Sequence, residues 1–217
     1  MLQAVAAGRA LGPQKQTEFR PVPLLVDVVP VRHTGVHLVQ VRERDLDGGA
    51  LTALVRRCVE AVRGSRARVL VNDRVDVALA AGAHGVHLRA DSMPASRVRT
   101  LCPPGFVVGR SVHARDEAVA AAASGGLDYL LFGTVFATPS KPDCAPAGPS
   151  ALAEVAAAVP VPVLAVGGIA ADNLGEVASA GAAGFAAISL FAEASEASLV
   201  RSMSAATAAF ASARDTR

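Results

Sequence analysis

The sequence contains no tryptophan, and aromatic residues make up only 4% of it. That excludes the stacking platforms on which single-stranded nucleic acids are bound. Cysteine is scarce too. Cys58, Cys102 and Cys144 show neither paired nor metal-ligand spacing, so a disulfide scaffold is excluded. Neither sign of charge dominates. Twenty-one Lys and Arg stand against 19 Asp and Glu, too even a balance for a nucleic-acid footprint or an acidic tail. No apolar run of membrane length is uninterrupted. The longest uncharged stretch, 155–171, is broken by Pro160, Pro162, Gly167 and Gly168, and reads as a helix end, a buried strand and a glycine turn. A secretory leader is not expected, because the apolar start over 1–11 is short and holds Arg9. Core-forming residues are abundant. Of 217 residues, 52% are hydrophobic and 18% charged, which suits a single α/β domain and argues against disorder. A cytoplasmic protein is the expectation.

Short apolar runs alternate with alanine-rich helical stretches. The runs predict strands at 22–28, 36–41, 68–71, 85–88, 106–109, 129–132, 161–166 and 184–189. Several are continuously apolar, as parallel strands buried on both faces should be. Helices are predicted over 49–63, 75–81, 94–101, 114–124, 150–157, 171–180 and 193–213. This alternation fits an α/β chain folded as a (β/α)₈ TIM barrel. An open doubly wound sheet would want G-x-G-x-x-G after its first strand, and none is there. No linker divides the chain, so 1–20 reads as an N-terminal extension and 21–217 as the barrel domain. One spacing conflicts with this. Only residues 29–35 separate the first two predicted strands, whereas a parallel crossover needs roughly a dozen or more. Either the first crossover helix is missing, or a helix over 2–11 fills its place, or the first strand lies elsewhere.

Barrel active sites lie at the C-terminal ends of strands, so the residues there are the candidates. Gln40, Arg42 and Arg44 alternate at period two and point the same way. They form either an anion site, since guanidinium forks match phosphate oxygens, or a surface cluster paired through Glu43. Asn72 and Asp73 suit phosphate and Mg²⁺, or a helix cap, which is the commoner role for such residues before a helix. Asp91 or Ser92 can cap the helix that begins near Pro94. In Gly109-Arg110-Ser111-Val112-His113, Ser111 can bond a small heterocycle, and His113 is either an acid/base or structural. The long loop over 133–142 carries Thr134, Thr138, Ser140 and Lys141, suited to a phosphate. Gly167 and Gly168 allow close backbone approach, and Ile188-Ser189 falls where barrels bind phosphate on backbone N–H groups. His33, His37, His84 and His87 have no ligand spacing and receive no role.

Taken in order, these segments resemble the thiamin phosphate synthase/TenI family. They are Gln40-Val41-Arg42-Glu43-Arg44, Asn72-Asp73-Arg74, Gly85-Val86-His87-Leu88, Gly109 through His113, Phe132 through Lys141, Val166-Gly167-Gly168-Ile169 and Ile188-Ser189. Each is weak alone; together, in register over 36–191, they are specific. The resemblance implies a (β/α)₈ barrel that joins an aminopyrimidine methyl diphosphate to a thiazole phosphate, with Mg²⁺, releasing pyrophosphate. In that family pyrophosphate departs first and the thiazole nitrogen traps the pyrimidine cation. By position, Gln40 and Ser111 would contact the pyrimidine. Arg42, Arg44, Asn72 and Lys141 would hold the diphosphate, and Asp73 would bind Mg²⁺. Thr138, Ser140, Gly168, Ile188 and Ser189 would bind the thiazole phosphate. Arg42, Lys141 and Ser111 would carry the catalysis. The implied partners are these two small molecules, with a homo-oligomer compatible and neither nucleic acid nor membrane.

Two departures qualify the resemblance. Ser92 stands where the synthases carry a second Mg²⁺ carboxylate, with Asp91 one residue away and Arg89 able to replace metal charge. Arg44 stands where they carry lysine. The TenI branch, which includes a thiazole phosphate tautomerase, also shows Gly-Arg-Ser-Val-His, but Thr134 replaces its expected catalytic histidine and His113 is the nearby substitute. A tautomerase and a non-catalytic phosphate-binding barrel are therefore the alternatives.

Overall fold

Alternation at period two decides which side of each strand meets which neighbour, and the observed strands follow it. The computed structural model describes residues 2–7, 36–139, 142–188, 190 and 196–215. The strands are β1 (Leu2–Ala7), β2 (Val36–Arg42), β3 (Arg68–Asn72), β4 (Gly85–Leu88), β5 (Val107–Val112), β6 (Tyr129–Phe132), β7 (Val163–Val166) and β8 (Gly184–Ala187). Between and after them come α1 (Gly48–Ala61), α2 (Val75–Ala80), α3 (Ala95–Arg99), α4 (Arg115–Ala123), α5 (Gly148–Ala158), α6 (Leu174–Ser179) and α7 (Glu196–Asp215). From β2 to β8 each strand pairs in parallel with the next, and the sheet curls in a TIM-like α/β fold.

The predicted helix over 2–11 is corrected. Leu2–Ala7 is a strand, paired in parallel with β2 (Val5 opposite Gln40) and with β8 (Ala4 opposite Ala187). A helix there would leave the ladder groups of both neighbours without backbone partners, and a strand satisfies them. The crossover problem disappears with it, because residues 8–35 separate β1 from β2. The strand predicted at 22–28 lies outside the described residues.

One apolar set of side chains points inward. Leu38, Leu70, Tyr129, Leu131, Leu164 and Ala186 form a single buried cluster. The alternate residues Val69, Val71, Val86 and Val108 pack against the inner faces of α1, α2 and α3. Leu130, Phe132, Ala165 and Phe185 do the same toward α5, α6 and α7. Burying each such large side chain contributes about 1.5–3 kcal/mol. Helix entries follow local chemistry. The Asp47 carboxylate accepts the Ala50 N–H at 2.8 Å and caps α1. Asp116 and Glu117 occupy the first turn of α4, where the helix dipole favours acid. Gly181, with φ 88°, follows α6 as expected of a C-terminal stop. No described helix is long and apolar enough to cross a membrane.

Gly109 has a packing reason to be glycine. A Cβ there would lie 2.0 Å from Cζ of the buried Tyr129. Gly109→Ala should therefore lower stability by about 1–3 kcal/mol, the range for overpacking a filled core. Equilibrium denaturation checks this, and an unchanged midpoint would mean that the Tyr129 ring does not sit against the strand.

Candidate active site

The C-terminal ends of β2 through β8 surround a cavity of about 820 Å³. That is a size typical of small-molecule sites. It brings together Gln40, Arg42, Arg44, Asn72, Ser111, Thr138, Gly168 and Ile188, all expected from the sequence. Ser140, Lys141 and Ser189 lie outside the described residues. Asp73 does not line the cavity.

Gln40 is buried at the inward end of β2, 3% exposed. Its Nε2 donates to Asn72 Oδ1 at 2.9 Å. Its Oε1 is buried with no hydrogen-bond partner among the described residues. Leaving such an acceptor unmet costs about 1–3 kcal/mol, so the atom is a place for a ligand donor. Arg42 lies one inward step further along and is half-buried. Its pKa is lowered by burial first, then by the Arg44 and Arg89 guanidiniums. Three guanidiniums thus converge on one cavity, an arrangement that a polyanion relieves. All three line the cavity, with Gln40 buried, Arg42 half-buried and Arg44 exposed.

The Asn72-Asp73 turn does not cap α2, whose first turn has no side-chain cap. Asp73 takes a left-handed backbone, φ 60°, which Asp tolerates better than most residues. Its carboxylate accepts the Ser92 hydroxyl and lies 3.8 Å from Arg89 Nη1. Arg89 in turn grips Asp91 with two donors, Nε–Oδ1 at 2.9 Å and Nη2–Oδ2. Both Asp91 oxygens accept from Arg89, and Asp91 also lines the cavity. Neither Asp91 nor Ser92 caps α3, which has no side-chain cap either. Buried Arg110 clamps this loop by donating to the carbonyls of Ala90 (2.8 Å), Ser92 (3.0 Å) and Met93.

No cluster of three His, Cys, Asp or Glu side chains able to hold a metal occurs among the described residues. A single carboxylate still fits Mg²⁺, because that ion is commonly held by one or two carboxylates plus substrate phosphates and water. Asp73 could hold it through its carboxylate.

The long loop after β6 is anchored as an extension of the sheet. The Val135 N–H donates to the Val166 carbonyl at 2.9 Å, and the Phe136 N–H to the Gly167 carbonyl at 3.0 Å. Asn173 donates from Nδ2 to the Gly168 carbonyl at 2.9 Å and accepts the Ala170 N–H at 3.0 Å, which pins the glycine turn. Gly168 has φ 62°, and a Cβ would come within 2.4 Å of the Ala137 carbonyl oxygen. His113 also faces the cavity. Its Nδ1 meets the Gly133 carbonyl at 2.6 Å; a carbonyl can only accept, so that nitrogen carries the proton.

His87 was missed. It is 1% exposed on β4 and lines the cavity. Its Nδ1 lies 2.8 Å from Tyr129 Oη and its Nε2 2.8 Å from Ser111 Oγ. Burial, then the Arg42 and Arg110 charges, push its pKa down to about 3. The available signal was a polar residue on the same face as Gly85, at an inward position of an otherwise apolar strand.

A TIM-like α/β protein with a cationic small-molecule cavity at its strand ends is the class these features define. The family model described as thiamine monophosphate synthase matches residues 24–191. The thiamine-phosphate synthase of Methanoculleus marisnigri is 45% identical over 156 residues, 71% of this chain and 74% of the relative. That of Anaeromyxobacter dehalogenans is 47% identical over 150 residues, 69% and 67% respectively. Among solved structures, the thiamine phosphate pyrophosphorylase from Pyrococcus furiosus matches with a TM-score of 0.78 and 28% identity, covering 98% of this chain and 96% of that one. The chain belongs to the thiamine monophosphate synthase family.

Proposed function

We propose that this protein condenses an aminopyrimidine methyl diphosphate with a thiazole phosphate, giving thiamin phosphate and pyrophosphate. The observation that carries this reading is one cavity holding both the orphan acceptor Gln40 Oε1 and the guanidiniums of Arg42, Arg44 and Arg89. The first suits an exocyclic amino group, the second a diphosphate. In the reaction the carbon–oxygen bond to the diphosphate breaks, with the electron pair leaving on pyrophosphate. The thiazole nitrogen then supplies the pair for the new carbon–nitrogen bond. Arg42 and Arg44 stabilise the departing charge, and Asn72 orients both Gln40 and the diphosphate. Ser111 meets the pyrimidine. Thr138, Gly168 and Ile188 line the same cavity and receive the thiazole phosphate, with Ser140 and Ser189 assigned there, and Lys141 to the diphosphate, by sequence position. Asp73 would hold Mg²⁺, which would supply further neutralisation of the leaving group.

The complete (β/α)₈ barrel belongs to the same reading. It takes β1 as the first strand, supported by the pairing of β1 with both β2 and β8. A cytoplasmic setting is supported by the three free thiols.

Purified protein given both phosphorylated precursors should form thiamin phosphate with Mg²⁺ and lose that activity with chelator. Absence of product under both conditions overturns the synthase reading. Proton exchange on the thiazole phosphate alone would then indicate a tautomerase, and binding without turnover a phosphate-binding protein. Asp73→Asn should remove the Mg²⁺-dependent part of turnover. It should also remove Mg²⁺-dependent pyrophosphate binding, read by calorimetry, while thiazole phosphate affinity stays within about twofold because Asp73 lies away from that wall. Unchanged Mg²⁺ dependence would remove Asp73 from the metal role.

A further inference from the structure

We propose that Tyr129 and His87 are positioning residues that hold the Ser111 hydroxyl as a hydrogen-bond donor into the cavity, so that the site selects an aminopyrimidine over the corresponding oxopyrimidine. This rests on the synthase reading for the ligand's identity. The chain of contacts itself does not: Tyr129 Oη, His87 Nδ1, His87 Nε2 and Ser111 Oγ are linked by two 2.8 Å bonds. Tyr129 is 3% exposed and His87 1% exposed, and Ser111 forms the cavity end of the series.

The polarity of the series follows from the groups. A neutral imidazole has one donor and one acceptor nitrogen. His87 is buried with a hydroxyl against each ring nitrogen, an environment that suits the neutral imidazole, so the two bonds run in the same direction. A phenol is a stronger acid than an alkyl hydroxyl and is the better donor to the acceptor nitrogen. Tyr129 therefore donates to Nδ1, Nε2–H donates to Ser111 Oγ, and the Ser111 hydrogen is directed away from His87. Gly109, whose lack of a Cβ admits the Tyr129 ring, makes the arrangement sterically possible.

The cavity then presents a donor at Ser111 and an acceptor at Gln40 Oε1. An aminopyrimidine offers the complement, a ring nitrogen that accepts and an amino group that donates. An oxopyrimidine in its lactam form reverses both, with N–H facing a donor and C=O facing an acceptor. Sites built to hydrogen-bond a ligand discriminate strongly against one that leaves their buried groups unpaired.

Two measurements test this. In protein carrying ¹⁵N-labelled histidine, without ligand, the His87 proton should reside on Nε2 between pH 6 and pH 8, and Tyr129→Phe should remove that preference. A proton on Nδ1 overturns the proposal. The second is calorimetry with the aminopyrimidine diphosphate and its oxo counterpart, without thiazole phosphate. The wild type should favour the amino compound by about 100-fold or more, and Tyr129→Phe should cut that ratio by about tenfold. A ratio near one in the wild type, or a ratio unchanged in a folded Tyr129→Phe protein, overturns it. Selective pyrimidine binding with no thiamin phosphate formed would instead sink the synthase reading and leave this inference standing.

Discussion

Arg42→Ala should lower the turnover of thiamin phosphate synthesis by about 100- to 1,000-fold, the loss typical when one preorganised charge-stabilising donor is removed. Arg42 is placed for this by the strand itself. It stands one inward step beyond Gln40 on β2, half-buried, with Arg44 and Arg89 close enough to lower its pKa. Like charges gathered in a partly desolvated pocket favour a bound polyanion, and most of all one whose charge is growing as it leaves. Affinity for thiazole phosphate should change little, because Thr138, Gly168 and Ile188 come from other strands. Arg42→Lys should recover only part of the rate, since an ammonium keeps the charge without the fork. Steady-state kinetics with each substrate varied in turn checks this. A kcat within a few-fold of wild type in Arg42→Ala would remove Arg42 from the catalytic machinery.

The second large effect is on stability. His87 has its pKa pushed down to about 3 by burial and by Arg42 and Arg110, against an ordinary value of 6.5. Above pH 6.5 the imidazole is neutral both folded and unfolded, and its contribution is fully present. As pH falls below 6.5 the unfolded chain binds a proton that the folded chain refuses, so stability is lost. The loss continues to about pH 3, at about 1.4 kcal/mol per pH unit. Over the whole window it is on the order of 5 kcal/mol, a large part of a typical domain's stability. Burial lowers the pKa of His37 and His84 in the same direction, so the contrast with His87→Gln is the measure. Denaturation between pH 7 and pH 5, where most carboxylates are silent, should show the wild type losing about 2 kcal/mol more than His87→Gln. Parallel curves for the two proteins would show that His87 is not held neutral by the fold.

The elements most legible in the sequence were those whose signal is local. Continuous apolar runs marked β2 to β8 to within a few residues, because a strand buried on both faces must be apolar throughout. Period two places Gln40, Arg42 and Arg44 on one side of the chain, and they line one cavity. Gly167-Gly168 read correctly as a turn, since its positive φ values demand glycine. The order of these strand-end motifs was enough for the family.

The remainder was decided by contacts between residues far apart in the chain. Which segment pairs between β2 and β8 depends on satisfying two backbone ladders at once, so the apolar run at 22–28 was no guide to Leu2–Ala7. Asn72 and Asp73 have the composition of a helix cap. Only the approach of Gln40 from β2 and of Arg89 and Ser92 from the loop after β4 gives their side chains different partners. His87 carries no motif of its own. Its neutrality and its place between Tyr129 and Ser111 come from burial and from parallel register, which sets His87 opposite Gly109 and Ser111 opposite Leu131. Sequence alone determined the period of the strands, the charge of the site and the order of its parts, because these are properties of neighbours along the chain. Tertiary structure decided which groups are dry, which are paired and which acceptor is left open, because desolvation and hydrogen bonding depend on what the rest of the molecule brings alongside.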